Sequence, residues 1–239
     1  MDRLEKRRQK AKNIYLHLYD QNTVRGRCHY GGKNWGNGTY DYVKELGSTS
    51  LVDVGCGRND FAKWAVSQGI NAIGVDIACP LADFVCPANR LPFNDKGFEY
   101  ITSFDVMEHL LPEEIDDTLD EFFRVASKGF LFTISYKHSH TQIFGQNLHY
   151  TVQDKKWWLS KLSQYGKVNL YRSMVETKDR KGNIRTRQSK EYIHCVLHDA
   201  KTEVQDCNSI RESGQELIET RYFLGDKEVE IITSPEVQN

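Results

Sequence analysis

The sequence predicts a doubly wound α/β fold, with a mostly parallel sheet and helices on both faces. Three observations predict it. Short apolar runs at Leu51–Val54, Ala72–Val75, Phe98–Phe104 and Phe130–Ile134 have the length and residue types of buried strands. Segments of helical periodicity lie between them: Phe61, Trp64, Ala65 and Gln68 share one face, and Ile115, Leu119, Phe122 and Phe123 share another. Strands that alternate with helices bury both faces of a parallel sheet.

In chain order, Arg3 to Leu18 reads as a basic helix whose second half packs through Ile14, Tyr15, Leu16 and Leu18, followed by Tyr19. Tyr30 to Tyr40 sets four glycines among aromatics and reads as a loop able to fold over a ligand, with Tyr30, Trp35 and Tyr40 as its covering surface. Gly69 stops the helix after the first strand. Asp83–Cys86 is a candidate third strand, very short. Pro112 suits the first turn of a helix running to Val125, with acids crowding its start. Asp154 to Tyr165 reads as a helix, and Val168–Met174 with Tyr192–His198 as a late strand pair. The tail from Ala200 is polar and is expected to end in a hairpin through Leu224–Glu228. The expected organisation is therefore residues 1–45 as basic helix and lid, 46–200 as the main domain and 201–239 as a polar extension.

Composition narrows the function classes. The chain has 239 residues, 39% hydrophobic and 27% charged, which suits a globular domain with a sizeable core. A formal charge of −1 does not demand a nucleic-acid partner. The apolar run Gly129–Ile134 is too short to span a bilayer, so no membrane partner is expected, and no secretory leader is visible. The six cysteines form no C-x-x-C pair, which argues against a zinc ribbon or redox motif and for reduced thiols in the cytoplasm. No internal repeat is evident.

In open α/β sheets ligands sit beyond the carboxyl ends of the strands. That rule selects Gly55-Cys56-Gly57, Asp76, Cys86-Pro87, Asp105 and Ser135. A glycine turn lets a backbone approach a ligand closely, and an acid ending the second strand accepts ribose hydroxyls. Gly55, Gly57 and Asp76, nineteen residues on, meet both demands. The nicotinamide-dinucleotide pattern wants a third glycine where Asp60 stands, and an aspartate repels a pyrophosphate. Asp53 and Asp60 suit a positively charged ligand without phosphate.

Val52-Asp53-Val54-Gly55-Cys56-Gly57 resembles the first motif of class I S-adenosylmethionine-dependent methyltransferases, and Gly74-Val75-Asp76 resembles their second. Leu91-Pro92-Phe93 followed by Phe104-Asp105-Val106-Met107-Glu108-His109-Leu110 is similar to the subfamily with an L-P-F turn and an E-H fourth motif. The resemblance implies a Rossmann-like seven-stranded sheet and S-adenosylmethionine as methyl donor. It implies that Asp53, Gly55, Cys56 and Gly57 contact the amino-acid end of the donor, that Asp76 holds the ribose and Ile77 packs on the adenine, and that Phe104 and Asp105 lie beneath the methionyl portion. The family has a third glycine where this chain has Asn59, the residue next best suited to a left-handed backbone. Relatives carry an acid for the adenine amino group where this chain has Pro87, so Asn89 or backbone groups must substitute.

Methyl transfer needs aligned reactants and, for a protonated acceptor, a base. His149, with Glu108 and His109, is the expected acceptor-side set; His138 and His140 lie near the cleft, and His194 and His198 are expected to be structural. The segment Asp105-x-x-Glu108-His109 with a later histidine also resembles two methyltransferase groups that bind a divalent metal, one acting on the 3′ end of small RNAs and one on catechol-like ubiquinone precursors. By that resemblance Asp105, Glu108, His109 and His149 form a metal set, although Glu-His is also common in relatives without metal. Lys178, Arg180, Lys181, Arg185, Arg187 and Lys190 make residues 176–190 either a grip on nucleic acid or a solvated hairpin tip. The expected function is methylation of an oxygen or nitrogen of a small molecule. The alternatives are a nucleic-acid or modified-nucleotide acceptor, and a donor-binding protein without activity.

Overall fold

The computed structural model describes residues 2–24, 37–178, 184–198, 218–224 and 227–233. Its elements run α1 (Arg3–Val24), α2 (Asn37–Glu45), β1 (Ser50–Val54), α3 (Asp60–Ser67), β2 (Asn71–Asp76), β3 (Phe84–Val85), β4 (Phe98–Phe104), α4 (Ile115–Val125), β5 (Ala126–Thr133), β6 (Gln142–Ile143), β7 (Gln146–Asn147), α5 (Lys155–Leu162), β8 (Gly166–Lys178), β9 (Ile184–Leu197), β10 (Ile218–Leu224) and β11 (Lys227–Thr233). Seven strands lie in the order β3-β2-β1-β4-β5-β9-β8. The first five run parallel, and β9 runs antiparallel to both β5 and β8. This is the doubly wound sheet the alternation predicts, with the chain reversing direction across β1. The sheet then continues past β8, where β11 pairs antiparallel with it and β10 with β11.

Side-chain alternation along each strand separates two cores. Val52 and Val54, Ile101, and Phe130 and Phe132 join α4 and α5 through Leu119, Phe122, Trp158 and Leu162. Leu51, Tyr100 and Leu131 point the other way, to α2 and α3 through Tyr42, Val43, Phe61 and Ala65. Trp158 is fully buried in the first core, and the partly buried Trp157 packs against it edge to face.

One sequence expectation changes. The segment read as a loop through Tyr40 turns helical at Asn37. Thr39 donates to the Tyr192 hydroxyl at 2.8 Å and Tyr40 stacks on Phe61, so this end is pinned to the body of the domain. Trp35 and the rest of the expected lid, from Tyr30 to Gly36, lie outside the described residues. The basic segment 176–190 carries the ends of the antiparallel strands β8 and β9, with Lys178 opposite Ile184, in keeping with its hairpin alternative; residues 179–183 lie outside the described residues.

The turn after β1 shows why its residues are small. Asn59 takes the left-handed backbone at φ 64°, so asparagine does replace the family's third glycine. Its side chain packs onto Gly74 of β2, where an added Cβ would lie 1.9 Å from Asn59 Oδ1. Gly55 has φ 76°, and a Cβ there would lie 2.2 Å from Val106. The first and second motifs are thus fitted to each other sterically.

Candidate active site

A cavity of about 880 Å³ lies where the carboxyl ends of β1, β2, β4 and β5 meet, with α1 over it. Gly55, Gly57, Asp76, Ile77, Asn89, Phe104 and Asp105 line it, as do Glu108, His109 and His149. One cavity therefore holds the residues expected for the donor and those expected for the acceptor.

Asp76 ends β2 with its carboxylate fully engaged. Oδ1 accepts the Ala78 and Cys79 N–H groups at 2.9 Å each. Oδ2 accepts the Gly57 N–H at 3.1 Å and the Tyr19 hydroxyl at 3.0 Å. The glycine turn and the acid are thereby locked together. The wall beyond Asp76 is Ile77, Cys86, Pro87, Ala88 and Asn89. The neighbouring L-P-F turn is held by Arg124, which donates to the Leu91 and Phe93 carbonyls at 3.1 and 2.7 Å, and by Glu121, which accepts the Leu91 N–H at 2.6 Å.

Three residues expected against the donor stand behind the wall instead. Asp53 is 3% exposed and accepts the Thr102 hydroxyl at 2.9 Å. Burial raises its carboxyl to about 7, the Thr102 bond opposing and Asp76 adding to the rise. Cys56 is buried and its thiol is pushed well up, first by burial and then by Asp53 and Asp76. Asn59 is buried against Gly74. Asp60, expected to face the ligand's charge, is taken up as the first residue of α3 and does not line the cavity. The alternation of β1 puts Asp53 inside the sheet, and the left-handed turn directs Asn59 towards β2, so these residues shape the site from beneath.

The residues expected on the acceptor side assemble from distant segments. Just past β4, Glu108 is fully buried, and its Oε1 accepts the Ser135 N–H at 3.0 Å. The Glu108 carbonyl accepts the N–H groups of Tyr150 and Thr151, which brings the following segment back onto it. His109 Nδ1 lies 3.0 Å from the Leu148 carbonyl and 2.7 Å from the Tyr15 hydroxyl. In the tautomer that satisfies the Leu148 carbonyl, Nδ1 carries the proton and shares it with the Tyr15 oxygen, and Nε2 keeps its lone pair. His149 repeats the arrangement, its Nδ1 donating to the Lys137 carbonyl. The two rings meet edge to face with centroids 4.7 Å apart. Burial, and next the His149 neighbour, lowers His109 to about 4, so it is neutral near pH 7.

Glu108, His109 and His149 each offer a ligand atom, all within 4.8 Å of one another. Asp105 drops out of the expected metal set. Its backbone is left-handed at φ 54° and its carboxylate is held by the Thr133 hydroxyl at 2.9 Å. His138 and His140 are exposed and do not line the cavity. His194 is buried and bonded to the Tyr42 hydroxyl at 2.7 Å, as expected of a structural histidine. Tyr15 and Tyr19 of α1 were not singled out as site residues by sequence reasoning. Their four-residue spacing on a helix was the available signal.

A glycine turn, a strand-end carboxylate and a two-ended cavity on a doubly wound sheet define an α/β enzyme that joins a nucleoside-bearing cofactor to a second substrate. The chain belongs to the methyltransferase-domain family: the family model described as "Methyltransferase domain" matches residues 5–174. Among solved structures, the fold is similar to the 1,6-didemethyltoxoflavin-N1-methyltransferase of Burkholderia thailandensis, at TM-score 0.56 and 14% identity, covering 82% of this chain and 91% of that one. It is similar also to the magnesium protoporphyrin IX methyltransferase of Synechocystis PCC 6803, at TM-score 0.56 and 13% identity, covering 78% of this chain and 99% of that one. A curated relative named "Probable tRNA methyltransferase 9B" from Mus musculus is 28% identical over 110 residues, 42% of this chain but only 24% of that protein's length. Among the described residues no helix is long and apolar enough to cross a membrane.

Proposed function

We propose that the chain transfers a methyl group from S-adenosylmethionine to an oxygen or nitrogen of a small molecule. The observation that carries this reading is the single cavity shared by Asp76 and the Glu108–His109–His149 set. The Burkholderia structure holds S-adenosylhomocysteine together with a small-molecule ligand. At the donor end Gly55 and Gly57 let the backbone approach, Asp76 accepts ribose, and Ile77 and Asn89 flank the adenine. Asp53, Cys56 and Asn59 support that end from beneath, and Phe104 and Asp105 underlie the methionyl portion. The sulfonium already activates the methyl carbon, so the protein's main task is alignment.

The acceptor proton falls to His149. With Nδ1 held by the Lys137 carbonyl, Nε2 is the basic nitrogen. Glu108 and His109 position it, and His109 stays neutral beside it. The same three residues are a carboxylate and two imidazoles with bare Nε2 atoms, each Nδ1 donating to a carbonyl as in metal-ligating histidines. They fit a divalent ion such as manganese, zinc or magnesium, which when bound would supply a lowered pKa to an acceptor hydroxyl.

A second reading, a nucleic-acid acceptor gripped through residues 176–190, is favoured only by the name of the curated relatives. Strong salt dependence of RNA binding would support it. Calorimetry tests the donor: S-adenosylhomocysteine should bind and NAD should not, and the reverse result would overturn the reading. Labelled methyl donor offered with a metabolite library and with RNA tests the acceptor. Donor binding without any product would leave a binding protein rather than an enzyme.

A further inference from the structure

Tyr15 and Tyr19 stand four residues apart on α1, so both point the same way from the helix. Tyr19 reaches the donor end and Tyr15 the acceptor end. A carboxylate offers about four acceptor positions. At Asp76 the Gly57, Ala78 and Cys79 N–H groups and the Tyr19 hydroxyl fill them. The three backbone donors shape the turns after β1 and β2 and cannot leave without undoing them. The phenol comes from a helix tied at its start by two ion pairs, the exposed Arg7 with Glu113 and the part-buried Arg8 with Glu114. The exposed Arg7–Glu113 pair is weak, about 0–1 kcal/mol.

We propose that the Tyr19 hydroxyl is a stand-in for a ribose hydroxyl, and that donor binding displaces it from Asp76. The second half of α1 is the part that moves. Because Tyr15 sits on His109 one turn earlier, the same movement uncovers the acceptor set, so the acceptor end opens once the donor is in place. This rests on the donor assignment made above, and it adds an order of events and two positioning residues.

The test uses the full chain and S-adenosylhomocysteine. Tyr19→Phe removes the competing hydroxyl but keeps the ring, so calorimetry should show S-adenosylhomocysteine binding roughly three- to tenfold tighter than to the unaltered protein. Equal or weaker binding would overturn the proposal and make the tyrosine a donor contact. Hydrogen exchange in the unaltered protein gives an independent reading that does not depend on how the variant folds. Amides of residues 15–20 should exchange faster when S-adenosylhomocysteine is added. Slower exchange would mean that α1 closes on the donor, and would sink the displacement. If S-adenosylhomocysteine binds to neither protein, the donor assignment falls together with the displacement. If it binds to both and only the ratio or the exchange result fails, the displacement alone falls.

Discussion

The two ends of the cavity are built on different principles. The frame of the proposed donor end comes from contiguous sequence, Asp53 to Ile77, and its parts interlock: Asn59 against Gly74, and the Gly57 N–H on Asp76; Asn89, Phe104 and Asp105 complete its wall. The acceptor end joins Glu108 and His109 to Leu148 and His149 across about forty residues, and takes Tyr15 from the far end of the chain. The donor end is thus a fixed backbone frame, whereas the acceptor end is a meeting of side chains on connecting segments. That is the arrangement expected when one cofactor serves many acceptors, because connecting segments change without disturbing the sheet.

The sharpest way to break this comparison is to remove its two anchors. Asp76→Ala should cost about 2–4 kcal/mol of S-adenosylhomocysteine affinity, since charge-assisted hydrogen bonds are lost and the Gly57 turn loosens. Unchanged affinity by calorimetry would show that the donor end lies elsewhere. His149→Ala should leave donor affinity nearly intact and lower turnover by about 100-fold or more. A matching loss with EDTA, restored by a divalent ion, would assign Glu108, His109 and His149 to metal. Full activity in His149→Ala, with or without chelator, would leave His149 a structural residue.

The same contrast explains what was legible in the sequence. β4 runs from Phe98 to Phe104 as the apolar run predicts, and Asp76 closes β2 as the strand-end rule requires. Both follow from local periodicity and spacing. Burial behind the sheet was not legible. Asp53 belongs to the motif, yet the two-residue alternation of β1 hides its carboxylate against Thr102. Asp105 left the metal set because one left-handed residue turned its carboxylate to Thr133, which no spacing encodes. Glu108, His109 and His149 come together only through hydrogen bonds between segments far apart in sequence, and Tyr19 meets Asp76 only after α1 crosses the cavity. The helix at Asn37 was obscured by Gly36 and Gly38, which read as loop, while Thr39, Tyr42 and Val43 are held by tertiary packing.

If the donor end is an interlocked frame, a minimal intrusion there should be felt as lost stability. Gly74→Ala places a methyl 1.9 Å from Asn59 Oδ1 and 2.9 Å from Cys56 Sγ. Asn59 must then give up its place in the left-handed turn. Overpacking of this kind costs about 1–3 kcal/mol, which for a chain of this size lowers Tm by roughly 2–12 °C. Thermal unfolding checks it, and an unaltered Tm with unaltered donor affinity would show that the two motifs are not sterically coupled.

The ends should also respond to acid with opposite signs. His109 at the acceptor end is held down to about 4, below its ordinary value of 6.5. Between those two values the unfolded chain binds more protons than the folded one, so this group's contribution is present above pH 6.5 and is lost as pH falls towards 4. His194, also lowered to about 4 by burial, acts in the same sense. Asp53 at the donor end is the reverse, raised from 3.8 to about 7. Its contribution is full below pH 3.8 and is lost as pH rises through 7, because the buried carboxylate must then ionise. Asp53→Asn keeps a polar group beside Thr102 and removes that ionisation. At pH 8 it should stabilise the fold by about 1–2 kcal/mol, after allowance for relaxation around a buried charge. Near pH 4 the gain should vanish, since the native carboxyl is protonated there. His109→Gln should do the opposite, flattening the loss of stability between pH 6.5 and 4. Denaturant unfolding of both variants across pH 4–8 reads the two slopes separately. Parallel pH profiles in the unaltered protein and Asp53→Asn would mean that Asp53 ionises freely, with water reaching the carboxylate that the sheet is here held to cover.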